Sequence, residues 1–426
     1  MINRLTLECN ACSTRIITRT AIGLGNTQVL AFPCPACGVG ITFGMNIDQE
    51  AVSFGYEPEP DNAHWVDSEE GAKFEATFDV DFLVPRKDVV CEHVPGRLRV
   101  SPWMQATRRF LDYDQYSTQE GQRRLWLAER APVVERLCVH FERQNWDVFT
   151  KEVRKLDPNI SIGNQEERFE AVRLASHQYL RMLTFAQHFE LVPRIEQRLA
   201  LACSISAELT ERGLFLELQR TGRLLEWWKQ LKDVRSAYFA AYPYYHTILQ
   251  PLYWKDKEDV VNQYVVINKG FPALKDLYIT AFETLARISV IAIGLEAVIH
   301  YRKLDLPTKK GSLSIFDFEG LSTANKRDWL IKYPIADVFG DFLDTRLRNG
   351  IGHNSARYDA VDDAVILVKN KGRELKTEKV NYTEFCRKVV SMVSRLFTVE
   401  TYLNAAVKAL GGHLGDGGEV ESETPR

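Results

Sequence analysis

The sequence predicts a mainly α protein with a small β ribbon at its N-terminus, a helical middle region, and a C-terminal helical bundle carrying an inserted β-hairpin. Three observations predict it. Long stretches, notably Glu166 to Leu252 and residues 272–303, place apolar residues at helical spacing with few glycines. Two CxxC pairs near the N-terminus frame short β-type runs. Late in the chain, Val365 to Val368 and Lys379 to Tyr382 flank a turn at Asn370-Lys371-Gly372. The expected divisions are a ribbon at 1–47, an extended or β linker region at 48–100, a helical middle domain at 101–260, a C-terminal helical domain at 261–410 and a disordered tail at 411–426.

The ribbon follows from its cysteines. Cys9-Asn10-Ala11-Cys12 and Cys34-Pro35-Ala36-Cys37 each let two thiolates converge from a tight turn. Two such turns make a tetrahedral sulfur site, the usual arrangement of structural zinc. A Zn2+ ion held by Cys9, Cys12, Cys34 and Cys37 is therefore expected, as a structural element without chemistry of its own. Between the pairs, Arg15 to Ala21, a turn at Gly23-Leu24-Gly25-Asn26 and Gln28 to Phe32 read as strand-turn-strand. Arg4, Arg15 and Arg19 leave the ribbon slightly basic. Gly38 supplies backbone freedom after the second pair. Cys138, Cys203 and Cys386 fall in helical patterns and read as core thiols.

Residues 48–100 alternate short apolar runs with acidic and Pro-rich turns; Phe74 to Phe78 and Val80 to Val84 read as strands or extended chain. From Trp103 the pattern is helical, broken at Pro132 and stopped at Asp157-Pro158-Asn159. Trp227-Trp228 and the tyrosines 238, 242, 244 and 245 could stack bases, but core packing is the better reading. His177, His188, His246 and His300 lack ligand spacing. Residues 272–303 are apolar nearly all round between Ile288 and Ile299, which predicts a buried helix. A further helix is expected from about Ile335 through Val338, Phe339 and Leu343. The last helix runs from Thr383 to about Leu410. The tail after Gly411 is Gly-rich and acidic.

Composition sets bounds rather than function. At 45% hydrophobic and 26% charged, the chain is an ordinary globular composition. A net charge of −3 gives no global polyanion signature, although residues 261–410 are mildly basic. The first ten residues have no apolar core of a signal peptide. The longest apolar stretch is too short for a bilayer and contains Glu296. A cytoplasmic protein without membrane contact is expected.

The most informative stretch is Arg348-Asn349-Gly350-Ile351-Gly352-His353. Arginine offers a permanent cation with a planar donor fork that suits a phosphate. Histidine moves protons at neutral pH. The two glycines predict a helix that bends, ends or restarts here, and they remove side chains where a substrate backbone could approach. The same residues also fit a plainer reading, in which Asp344 and Arg348 form a surface ion pair and His353 caps a helix.

With long helices before and after it, this stretch resembles the HEPN superfamily of helical ribonucleases, whose signature is an Arg, a polar residue and a downstream His. The likeness covers about residues 270–410, so the C-terminal bundle is expected to be HEPN-like. It implies a homodimer through the C-terminal helical domain, and metal-independent RNA cleavage by attack of the ribose 2′-hydroxyl. It makes Arg348, Asn349 and His353 the catalytic candidates: His353 as general acid and base, Arg348 facing the phosphorane charge, Asn349 orienting the phosphate. Glu296 is a candidate anchor for Arg348. Arg357 and Tyr358, in the resembling continuation, are supporting candidates. Many relatives act as toxins or in phage defence, which implies an antitoxin or defence partner protein. The competing expectation is a non-catalytic RNA-binding or scaffold protein with a vestigial motif.

Overall fold

The computed structural model of the protein describes residues 2–23, 26–48, 53–96, 100–256, 259–309, 311–339, 343, 345–352, 356–371 and 374–414. His353, Asp344 and the tail beyond 414 lie outside them. The fold is mainly α, with N-terminal sheets and a helical remainder. Among the described residues, no helix is long and apolar enough to cross a membrane.

The chain divides into two compact units, each built from three segments: Met1–Gln122, Ala240–Asp276 and Asn349–Val390, then Arg123–Phe239, Leu277–Arg348 and Ser391–Arg426. The linear boundaries expected at 47, 100 and 260 are not where the units part. Strand pairing between distant segments decides this, and no local pattern announces it.

In the first unit the strands are β1 (Ile2–Cys9), β2 (Arg15–Ala21), β3 (Thr27–Pro33), β4 (Gly40–Asp48), β5 (Ser53–Tyr56), β6 (Ala63–Val66), β7 (Phe74–Asp79), β8 (Val84–Pro85) and β9 (Val90–Glu92). One sheet has the order β6-β1-β2-β7-β9, with β2 and β7 parallel; a second has the order β3-β4-β5. Three strands of the stretch expected as an extended or β linker, β6, β7 and β9, thus belong to the same sheet as β1 and β2. The expected β2–β3 hairpin is also replaced. Each CxxC turn is itself the hairpin turn, joining β1 to β2 and β3 to β4, so β2 and β3 fall in different sheets.

Alternation along these strands builds one core of Leu7, Ile16, Leu30, Phe32, Ile41, Phe43 and Phe78, with the buried Cys9 and Cys34 at its edge. The Phe43 and Phe78 rings meet edge-on at 5.7 Å. Strand β10 (Tyr264–Val265) pairs with β8, and Val265 and Ile267 join that core. The unit also contains a three-stranded sheet from the end of the chain, described below.

In the second unit, β11 (Asp305–Thr308) and β12 (Gly311–Ser314) form a short hairpin. Among the described residues, its other elements are helices. The helix Gln165–Leu183 begins at a full capping box: Asn164 Oδ1 accepts from the Glu167 N–H at 2.8 Å, and Glu167 reaches back to the Asn164 N–H. Trp227 and Trp228 are buried, on the helix Arg223–Ala240. The division between units falls within the helices Phe271–Tyr301 and Tyr382–Ala409, whose bounds match the sequence reading closely. The helix expected from Ile335 is present over Ala336–Phe339 and Thr345–Gly352, with 340–342 and 344 outside the described residues.

The late hairpin is present in the first unit as β14 (Ala364–Lys371) and β15 (Glu374–Asn381), with β13 (Arg357–Asp359) added along β14.

Candidate functional site

The four cysteines come together through two matching turns. Cys9 N–H donates to the Thr14 carbonyl at 3.0 Å, and Ser13 N–H donates back to the Cys9 carbonyl at 2.8 Å. Cys34 repeats the pattern with Val39 and Gly38, both at 2.8 Å. The fourth residue after each leading cysteine takes a left-handed backbone, Ser13 at φ 54° and Gly38 at φ 77°. A serine in that conformation is uncommon, and it persists because the turn's hydrogen bonds over-determine it.

The turns bring Cys9 Sγ to 3.7 Å from Cys37 Sγ, and Cys12 Sγ to 3.7 Å from Cys34 Sγ. All four sulfurs lie within 4.8 Å of one another. Disulfide sulfurs sit about 2.05 Å apart, so these are thiols. Sulfurs at the corners of a tetrahedron with metal–sulfur bonds of about 2.3 Å are roughly 3.8 Å apart, close to the 3.7 Å of the Cys9–Cys37 and Cys12–Cys34 pairs. Thr14, whose Oγ1 is 3.2 Å from Cys12 Sγ, draws that thiol down to about 6. Burial pushes Cys34 up to about 12. A divalent ion would supply the positive charge that a buried Cys34 thiolate needs. The donor set therefore fits a thiophilic metal.

The catalytic candidates are placed separately. Arg348 lies on the helix Thr345–Gly352 and is about a third exposed. Its Nε donates to Glu283 Oε1 at 2.7 Å, and its Nη2 is 2.5 Å from the same oxygen. Glu283 was not singled out from sequence; its signal is that it is an acid on the long apolar helix Phe271–Tyr301. Glu296, the anchor expected for Arg348, does something else. It is buried and is bound by Arg198, whose Nε is 2.8 Å from Oε1, with His300 Nε2 at 3.3 Å from Oε2. The two acids are thirteen positions apart on one helix, far enough along the axis to serve different arginines.

In the first unit, Asn349 is exposed. Gly350 continues the helix, and a Cβ there would meet Leu367 Cβ at 3.0 Å and Cδ1 at 3.1 Å. The glycine lets the helix press against β14, a packing role in place of the substrate approach read from sequence. Arg357 is exposed on β13. Tyr358 donates from its hydroxyl to Asp363 Oδ1 at 3.1 Å, and burial raises its pKa. Asp363 has a left-handed backbone at φ 47° and also holds the buried Lys269 at 2.7 Å and Arg86 at 3.1 Å. Tyr358 thus supports a buried ion cluster. His353 lies outside the described residues.

The ribbon's arginines are engaged rather than presented. Arg4 pairs with Glu69 at 2.6 Å, Arg15 with Glu8 at 2.8 Å and Arg19 with Glu75 at 3.2 Å. Among the histidines, His188 is buried, and burial followed by the nearby Arg395 charge brings it down to about 4. Comparison with known proteins finds no family model, no curated protein and no solved structure that matches this chain.

Proposed function

We propose that the protein is a metal-independent endoribonuclease of HEPN type, with structural zinc held by Cys9, Cys12, Cys34 and Cys37, working as a homodimer in the cytoplasm as a toxin or defence effector. The observation that carries this reading is Arg348. Its guanidinium lies on the motif helix, is about a third exposed and is held at Nε and Nη2 by Glu283, and a fixed, accessible guanidinium of this kind supports a phosphate-binding role. In the reaction, the ribose 2′-oxygen bonds to phosphorus and its proton passes to His353. The P–O5′ bond breaks and the leaving 5′-oxygen takes a proton from protonated His353, leaving a 2′,3′-cyclic phosphate. Arg348 faces the negative charge of the phosphorane, and Asn349 orients the phosphate.

The test is RNA cleavage in a buffer without added divalent ions, comparing wild type with Arg348→Ala and His353→Ala. Removing a group that faces transition-state charge costs about 10²–10³ in rate. Because Arg348 and Glu283 are each about a third exposed, the folding cost of Arg348→Ala should stay under about 1 kcal/mol. Equal cleavage by all three proteins, or none by wild type alongside RNA binding that survives both substitutions, would leave the motif vestigial and the chain an RNA-binding or scaffold protein. A strictly monomeric active enzyme would remove the dimer from the reading.

A further inference from the structure

The second unit contains a cavity of about 720 Å³ that none of the readings above uses. Its size is in the range of small-molecule sites. Four of its lining residues, Leu174, His177, Gln178 and Arg181, sit at i, i+3, i+4 and i+7 on the helix Gln165–Leu183, so one stripe of that helix faces it. Opposing residues come from Trp126 and Arg130, and from Leu156, Asp157 and Ile160 at and beyond the end of the helix Trp146–Leu156.

Three kinds of group meet here. The first is a ring platform: Tyr179 stacks on Trp126 at 4.4 Å between centroids and 29° between planes, and Trp126 is buried behind it. The second is uncompensated positive charge. Arg130 donates to the Lys155 carbonyl at 2.8 Å and Arg181 lies over Phe189, and neither pairs with a carboxylate among the described residues. Asp157, the acid in the lining, has Oδ1 engaged by the Asn159 N–H at 2.9 Å. The third is a positioned imidazole. His177 Nε2 is 3.6 Å from Glu400 Oε2 and 3.5 Å from Asn404 Nδ2, and Glu400 is itself bound by the buried Arg235 at 2.9 Å. This support engages Nε2, so Nδ1 is the ring nitrogen left to meet a ligand.

We propose that this cavity binds a free nucleoside monophosphate. The base stacks on Tyr179, as bases do on aromatic faces. The phosphate takes the Arg130 and Arg181 guanidinium groups, which suit phosphate geometry. His177 Nδ1 meets a ribose hydroxyl. Two cations against one acid match a phosphate monoester better than a polyphosphate. The site is separate from Arg348 and stands whether or not the chain cleaves RNA.

The experiment is titration calorimetry of the full-length protein with AMP, CMP, GMP and UMP, and with the matching nucleoside, ribose 5-phosphate and a 5′-phosphorylated RNA tetramer. The expected result is that at least one monophosphate binds, with its nucleoside and ribose 5-phosphate each tenfold or more weaker. Arg130→Gln, Arg181→Gln and Tyr179→Ala should each weaken binding about tenfold while thermal melting stays within a few degrees of wild type. Arg348→Ala should bind as wild type does. The proposal is overturned if no monophosphate binds at millimolar concentration, or if binding ignores both arginine substitutions. Loss of binding in Arg348→Ala would move the ligand to the motif, and tighter binding of the tetramer than of any monophosphate would make the cavity a strand-end site; either also overturns it.

Discussion

Replacing Glu400 with glutamine should be among the most destabilising single changes in the second unit. Glu400 is buried, and its Oε1 accepts from Arg235 at 2.9 Å, where Arg235 is itself nearly inaccessible. Burial alone would raise the carboxyl; the Arg235 charge, then His177, holds it at about 2 against an ordinary value of 4.5. That gap corresponds to roughly 3 kcal/mol of preference for the ionised form in the folded state. Because the folded value is the lower one, this stability is present above about pH 4.5 and is lost as pH falls toward 2. Glu400→Gln removes the negative charge and strands Arg235 in the interior, at a cost of about 3–5 kcal/mol at pH 7. Glu400→Gln with Arg235→Met removes both charges and should recover most of that loss. Urea unfolding of wild type, the single variant and the double variant at pH 7 and pH 3 measures it. The wild type should lose more stability than the double variant between those pH values. The reasoning is refuted if the single variant lies within 1 kcal/mol of wild type, or if the double variant is no more stable than the single.

Three further outcomes are expected. Cys34→Ser should abolish stoichiometric zinc by metal analysis and melt the N-terminal sheets, because Cys34 belongs to their core as well as to the proposed zinc site; full zinc retention would remove it from the ligand set. Gly350→Ala gains about 1 kcal/mol of helix propensity but drives a Cβ into Leu367, where overpacking costs about 1–3 kcal/mol, so thermal melting should show net destabilisation of up to about 2 kcal/mol. A stabilised variant would mean that Leu367 yields freely. His188, held at about 4 against 6.5, binds its proton less readily in the folded state, so its stability contribution is present above about pH 6.5 and fades as pH falls toward 4; His188→Phe should flatten the stability profile across that window, and an unchanged profile would count against the burial argument.

Much of the local structure was legible in the sequence. The bounds of the helices Phe271–Tyr301 and Tyr382–Ala409, and the β14–β15 hairpin, follow from periodicity and turn residues, which are properties of neighbouring positions. The cysteine cluster was legible for a related reason: a CxxC turn converges its own sulfurs whatever surrounds it. The partner of Arg348 was not legible. Glu283 and Glu296 are both acids on one apolar helix, and only the helix's rotation and neighbours assign Glu283 to Arg348 and Glu296 to Arg198.

By itself the sequence determined the mainly helical class, the four clustered cysteines and the Arg348–His353 spacing, because each rests on interactions within a few residues. Only the tertiary structure decided that β6, β7 and β9 complete the sheet of β1 and β2, that Gly350 packs against Leu367, and that His177, Arg130, Arg181 and Tyr179 share a cavity. Those contacts join residues that are distant along the chain, and they form only when burial of apolar surface selects one arrangement among the many that local preference allows.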